Sequence, residues 1–228
     1  QLAVDFADLF LALLDARDRL LAYGSGPGMN IYAFAPDGEL TNVLAGLQNM
    51  LCQYDGMGNL TSVTLPGGLT NISYRLDGEG RRVGRLVNGM PAQGWIYLDG
   101  LNPAAEFDGS NNLVSVFVYG SRGNAPDYMI KTGVVYRLVT DHLGSVRLVV
   151  DATSGLVVQQ MAYDEFGVVT QDTNPGFQPF GFAGGLYDRD TRLTHFGARE
   201  YDAETGRWTT RDPILFNGGD VNLYAYCG

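Results

Sequence analysis

At 228 residues, with 31 Gly, 13 Tyr and only 18% charged residues, the chain has the composition of turns and aromatic strands rather than of long solvated helices. A formal net charge of −10 argues against a nucleic-acid partner, because affinity for phosphates rests on Lys and Arg. No apolar run is long enough for a helix to cross a bilayer.

The first element spans Leu2–Leu14. Leu2, Phe6, Leu9, Phe10 and Leu13 fall on one helical face, which predicts a short helix, with a degraded repeat unit as the competing reading. The segment carries Asp5 and Asp8 and lacks a positive leader, so it is a poor signal peptide. A start at Gln1 and a stop after Cys227-Gly228 read as the ends of a fragment.

A repeat then sets the organisation. Tyr54-Asp55-Gly56-Met57-Gly58-Asn59-Leu60 returns in type at Tyr163-Asp164-Glu165-Phe166-Gly167 and, one residue longer, at Tyr201-Asp202-Ala203-Glu204-Thr205-Gly206. Weaker copies begin at Leu14, Phe34 and Leu76, so the lead positions 14, 34, 54 and 76 stand 20, 20 and 22 residues apart. Self-similarity at a near-fixed period signals units that bury apolar surface against their neighbours. Asp at the first position and Gly at the last suit a type I turn, so Asp55–Gly58 and Asp164–Gly167 are predicted hairpin turns. The leading aromatics, Tyr54, Tyr163 and Tyr201, are expected to close strands and to lie buried between them.

Further strands are expected at Leu60–Leu65, Asn71–Leu76, Arg85–Asn88, Trp95–Leu98, Leu113–Tyr119, Val134–Val139, Val146–Asp151, Val157–Tyr163, Leu193–Ala198 and Arg207–Thr210. Turn signals such as Pro66-Gly67-Gly68 and Asn88-Gly89 separate nearly all of them, which predicts an all-β array of short antiparallel strands. At this length the array should be an open, curved sheet. The loop Asn174–Phe182 carries Phe177, Phe180 and Phe182, which are expected to pack beneath the array as a plug.

From Tyr136 onward the order of motifs resembles one family. Asp141-His142-Leu143-Gly144-Ser145, Tyr163–Gly167, Pro179-Phe180-Gly181-Phe182-Ala183-Gly184, Phe196-Gly197-Ala198-Arg199, Tyr201–Trp208 and Arg211-Asp212-Pro213 resemble the repeat-associated core of Rhs or YD-repeat proteins. The resemblance implies a YD-repeat β-sheet spiral that forms a hollow shell. It implies that a C-terminal toxin or other cargo region of the same polypeptide is sequestered there, with immunity or secretion-system proteins as further partners. It also implies a secreted or cell-surface bacterial setting. The insecticidal toxin-complex C components and the bacterial ancestors of teneurins share that architecture. On this basis residues 1–23 are a degenerate repeat or short helix, 24–135 are YD-type repeats, and 136–228 are a truncated repeat-associated core. A teneurin-like adhesion or carbohydrate-binding array without cargo is the alternative, and an orphaned fragment without function is a third.

The family cuts itself from its cargo by an aspartic-protease-like reaction, which the resemblance places at Asp212, with Arg211 beside it to hold the ionised carboxylate. The second aspartate of that reaction lies in a downstream Asp-Pro-x-Gly-Leu motif that this chain lacks, so it holds half a site and no catalysis is expected of it alone. A plain Asp-Pro turn is an equally good reading of the residues. Leu215 stands where many members carry Gly. No nucleophile sits at a recognisable elbow, so His142 and His195 are read as structural. Asp108–Asn112 and Asp188–Asp190 lack calcium-loop spacing and read as turns. Cys52 and Cys227 show no metal-ligand spacing and read as free thiols, with a disulfide left open. No cofactor or metal is expected.

Overall fold

A computed structural model describes residues 11–226. Sixteen strands follow one another as antiparallel neighbours in chain order. They are β1 (Leu11–Leu14), β2 (Leu20–Gly24), β3 (Asn30–Phe34), β4 (Leu40–Ala45), β5 (Gln48–Tyr54), β6 (Leu60–Thr64), β7 (Asn71–Leu76) and β8 (Arg82–Val87). The meander continues as β9 (Met90–Tyr97), β10 (Pro103–Asp108), β11 (Leu113–Val118), β12 (Tyr128–Lys131), β13 (Val134–Thr140), β14 (Val146–Asp151), β15 (Val157–Tyr163) and β16 (Val169–Asp172). The all-β expectation holds, and among the described residues the only helical pieces are short 3₁₀ turns. The helix predicted over Leu2–Leu14 lies mostly outside the described residues. Its described end, Leu11–Leu14, is instead strand β1, paired antiparallel with β2. The division expected at 135/136 falls inside β13, which the sheet crosses without a break.

Side chains alternate across the sheet, so each strand offers one face to the concave side. On β7, Ile72 and Tyr74 are buried while Asn71 and Ser73 are not. Val63, Ile72, Met129, Val146 and Val149 are fully enclosed, each contributing about 1.5–3 kcal/mol through burial.

The two rims of the sheet are built differently. At one rim the Asp-led turns recur. Asp55 N–H donates to Asn59 O at 3.0 Å, and Gly58 N–H donates to Asp55 O at 3.1 Å. Asp55 Oδ1 accepts from the N–H groups of Met57 and Asn59 at 2.9 and 3.0 Å. This is a type I turn closed by a residue in the left-handed region, Gly58 at φ 85°, with a register shift beside it. Asp164 repeats the pattern with Phe166, Gly167 and Val168. A degenerate copy keeps it too: Asp18 takes the glycine place at φ 57°. The opposite rim mixes such turns, as at Asp108–Asn112, with tight two-residue ones, as in Asn88-Gly89 at φ 50° and 79°, the signature of a type I′ hairpin.

After β16 the chain turns back across the concave face and builds a second, four-stranded antiparallel sheet. Its strands are β17 (Leu186–Asp188), β18 (Leu193–Phe196), β19 (Arg199–Asp202) and β20 (Arg207–Trp208). This inner sheet and its approach supply the other half of the core. Phe180 and Leu186 join Trp95, Phe117, Met129 and Leu138, while Leu193 joins Cys52, Leu60, Val63 and Ile72. Phe180 meets Phe117 edge-on at 4.8 Å, and Phe177 meets Tyr136 at 5.1 Å. The phenylalanine-rich loop therefore packs under the array.

Among the described residues the main sheet is not closed, and β1 and β16 are its edges. Leu11, Leu13 and Leu14 are exposed on β1, and unpaired edges of this kind template association with another chain. Light scattering of the 228-residue chain should therefore show concentration-dependent self-association. A monomer across a wide concentration range would show that the edge is protected.

Candidate functional site at the sealed rim

The Asp-led rim is where the inner sheet attaches, turn by turn. Thr209 O accepts from Leu40 N–H at 2.8 Å, and the Tyr224 hydroxyl donates to Gly38 O at 2.9 Å. Tyr201 donates to Phe166 O at 2.7 Å, Asn124 Nδ2 to Ala183 O at 3.1 Å, and Arg207 to Asp18 O. Successive hairpins are also stitched to each other. The hydroxyls of Tyr97, Tyr119 and Tyr163 donate to Arg82 O, Pro103 O and Val146 O at 3.0–3.1 Å. These three tyrosines thus bridge neighbouring units. Tyr201 is fully buried, whereas Tyr54 and Tyr163 are half-buried.

Asp202, the third repeat aspartate, differs from those at the rim. It lies within the inner sheet, accepting from Glu204 N–H at 3.0 Å and the Thr205 hydroxyl at 2.9 Å. Burial pushes its carboxyl up to about 6. Cys52 is free and buried, and burial pushes its thiol up to about 12. Cys227 lies outside the described residues.

Asp212 follows β20. Its N–H donates to Leu223 O at 2.9 Å, and its Oδ1 accepts from Ile214 N–H at 2.9 Å, which is an Asx turn. Oδ2 pairs with Arg199 Nη2 at 3.1 Å, and the Arg199 guanidinium lies over the Trp208 ring at 4.1 Å. The arginine holding Asp212 is therefore Arg199, two strands back in the sequence, rather than the adjacent Arg211. Arg211 is exposed, with its stem against Gly38. The pair opens onto a cleft of about 420 Å³ between the loop and the hairpin tips, walled by Asp37, Glu39, Met57 and Glu79. Leu215 sits at φ 52°, the region that glycine enters without strain, so the backbone here has the shape a glycine would favour.

A second polar assembly ties the two sheets together, and the sequence did not reveal it. Arg82 Nη2 meets Glu200 Oε1 at 2.8 Å, and His195 Nδ1 meets the same oxygen at 2.7 Å. Arg85 binds Asp188 at 2.7 Å and also Asp190, while the Tyr74 hydroxyl donates to Asp188 at 2.7 Å. Arg82 lies 3.5 Å from the centre of the Tyr74 ring. His195 is thus a buried structural histidine. His142 sits in the Asp141–Ser145 turn, where its carbonyl accepts from Arg122.

A curved meander of Asp-turn hairpins, one rim stitched to an inner sheet by its own C-terminal segment, defines a structural shell module of the Rhs or YD-repeat type. The chain matches the family described as Teneurin YD-shell over residues 9–226 and belongs to it. It is 33% identical to mouse Teneurin-3 over 221 residues, 93% of this chain and 8% of that protein. It is 30% identical to the tRNA nuclease WapA of Bacillus subtilis over 76% of this chain and 8% of that protein. The chain thus spans less than a tenth of these relatives. The fold is also that of a solved TcdB2-TccC3-Cdc42 structure, at a TM-score of 0.59 and 15% identity, covering 95% of this chain and 15% of that one.

Proposed function

We propose that the chain forms the closing end of an Rhs-type shell that sequesters a C-terminal cargo of the same polypeptide, outside the producing cell. The observation that carries this reading is the sealed rim: the C-terminal segment bonds to hairpins from Asp18 to Phe166 and so spans one whole end of the sheet. A relative described as a tRNA nuclease and a fold neighbour solved within a Tc holotoxin pore support a cargo-bearing role.

Asp212 is proposed as one member of the self-cleavage pair, with Arg199 holding its carboxylate and Arg211 free to meet the second carboxylate or the developing oxyanion. One carboxyl group alone offers neither a shared proton nor both acid and base, so the 228-residue chain should be inert. In a longer chain that carries the natural downstream residues, the wild type should split into two bands on a denaturing gel. Asp212→Asn should abolish the split. Splitting at full rate in the Asn variant would make Asp212 a turn residue only. The teneurin relatives, matched over as much as 93% of this chain, favour the adhesion reading as the alternative. A longer gene product ending in a membrane anchor, with no separate downstream domain, would establish it.

A further inference from the structure

The two surfaces of the main sheet differ in charge. The carboxylates of its strands are Glu106, Asp108, Asp151 and Asp172. Each stands in register with an inward residue: Trp95, Gln93, Tyr136 and Met161 in turn. Among the described strands the outward, convex face therefore has none, in a chain whose net charge is −10. From β9 to β15 that face is also apolar. One ladder row runs Ile96, Ala105, Val116, Ile130 and Val135. The next row, two residues along, runs Val118, Tyr128, Arg137, Val150 and Val157. Ile96, Val118, Ile130, Val135 and Val157 are exposed, and a continuous band of this kind marks an interaction surface where single exposed residues do not. On β5 to β7 the same face carries Gln53, Ser62, Ser73 and Arg75.

The two rows hold one cation. Arg137 lies over the Tyr128 ring at 5.8 Å and pairs with no carboxylate among the described residues. Asp127, which feels its charge, turns its own oxygens to the N–H groups of Gly120 and Ser121. We propose that this band docks an amphipathic helix whose apolar face carries a carboxylate to meet Arg137. At about 4.8 Å per strand, β9 to β15 span roughly 30 Å, the length of a helix of about 20 residues. Two rows about 7 Å apart suit its width of about 10 Å. Charge and shape decide between occupants. A second copy laid face to face would set arginine against arginine, with no carboxylate on either side. A bilayer would need long or aromatic side chains reaching into it, and short branched ones on a convex wall do not.

The probe is a capped helix of about 20 residues built from Ala, Leu and Gln with one central Glu; a second probe carries Lys there instead. Fluorescence anisotropy with the 228-residue chain should show saturable binding of the Glu helix and about tenfold weaker binding of the Lys helix. Arg137→Glu should reverse that order. Arg75→Glu makes the same charge change on β7, beyond the reach of screened charge, and should leave both affinities within about twofold. Ile130→Glu should abolish binding of the Glu helix. No binding of either helix to the wild type would overturn the proposal, as would an order that Arg137→Glu does not reverse. Equal losses in Arg75→Glu and Arg137→Glu would also overturn it, since they mark diffuse attraction. A chain that ignores both helices but loses its self-association in Ile130→Glu would give the band to a second copy. One that ignores them and binds phosphatidylserine vesicles would give it to a membrane, and either result refutes the helix.

Discussion

Glu200→Gln is expected to destabilise the protein by about 3 kcal/mol at neutral pH, because it leaves Arg82 buried without its counter-charge. Both residues are almost fully enclosed, and each comes from a different sheet, so the pair is a tie between the shell wall and the inner sheet. An exposed pair such as Arg192–Glu204, at 3.0 Å, should cost well under about 1 kcal/mol when broken. Burial alone would raise the Glu200 carboxyl, but the charges of Arg82 and His195 outweigh it and the net shift is downward. The sign follows from that direction. A carboxyl whose folded value is depressed contributes stability that is present above its unfolded value and is lost as pH falls through the folded one. Asp188, lowered by Arg85 and Arg82 against its own burial, acts in the same sense. Denaturant melts should therefore show the Glu200→Gln deficit at neutral pH and its disappearance in strong acid. A deficit that stays constant down through the acid range would rule out the ionised pair as its cause.

Tyr201→Ala should cost about 3–5 kcal/mol, the range for deleting a large buried side chain. Tyr201 is 1% exposed and stacks on Phe182 at 5.8 Å, with Phe196, Trp208 and Tyr226 around it. Its hydroxyl also fixes the Asp164 hairpin through Phe166 O. Tyr201→Phe isolates that hydrogen bond and should cost about 1 kcal/mol. The same truncation at Tyr163 should cost less than the full range, because that ring is only half-buried. Equal losses at the two positions in denaturant melts would mean that burial does not set the difference.

The hairpins were legible in the sequence because their chemistry is local. Asp55 bonds to backbone two and four residues on, so the aspartate and Gly58 carry the turn between them. Strands rich in β-branched residues, such as β6, β13 and β14, were equally plain. Strand β10 was not, because Pro103-Ala104-Ala105-Glu106 has weak strand preference and is held in the ladder by β9 and β11. Leu11–Leu14 carries helical spacing, yet pairing with β2 decides its form. The partners that join the two sheets in the ionic core are 103 to 118 residues apart, a separation no local pattern can report. The same limit explains the arginine at Asp212: adjacency suggested Arg211, and the β18–β19 hairpin brought Arg199 instead.

The sealing of one rim by the C-terminal segment is tested most directly by limited proteolysis of the full-length natural protein. The region downstream of residue 228 should resist protease in the wild type and become cleavable in Tyr201→Ala, where the seal is loosened. A downstream region cut at the same rate in both proteins would contradict the shell.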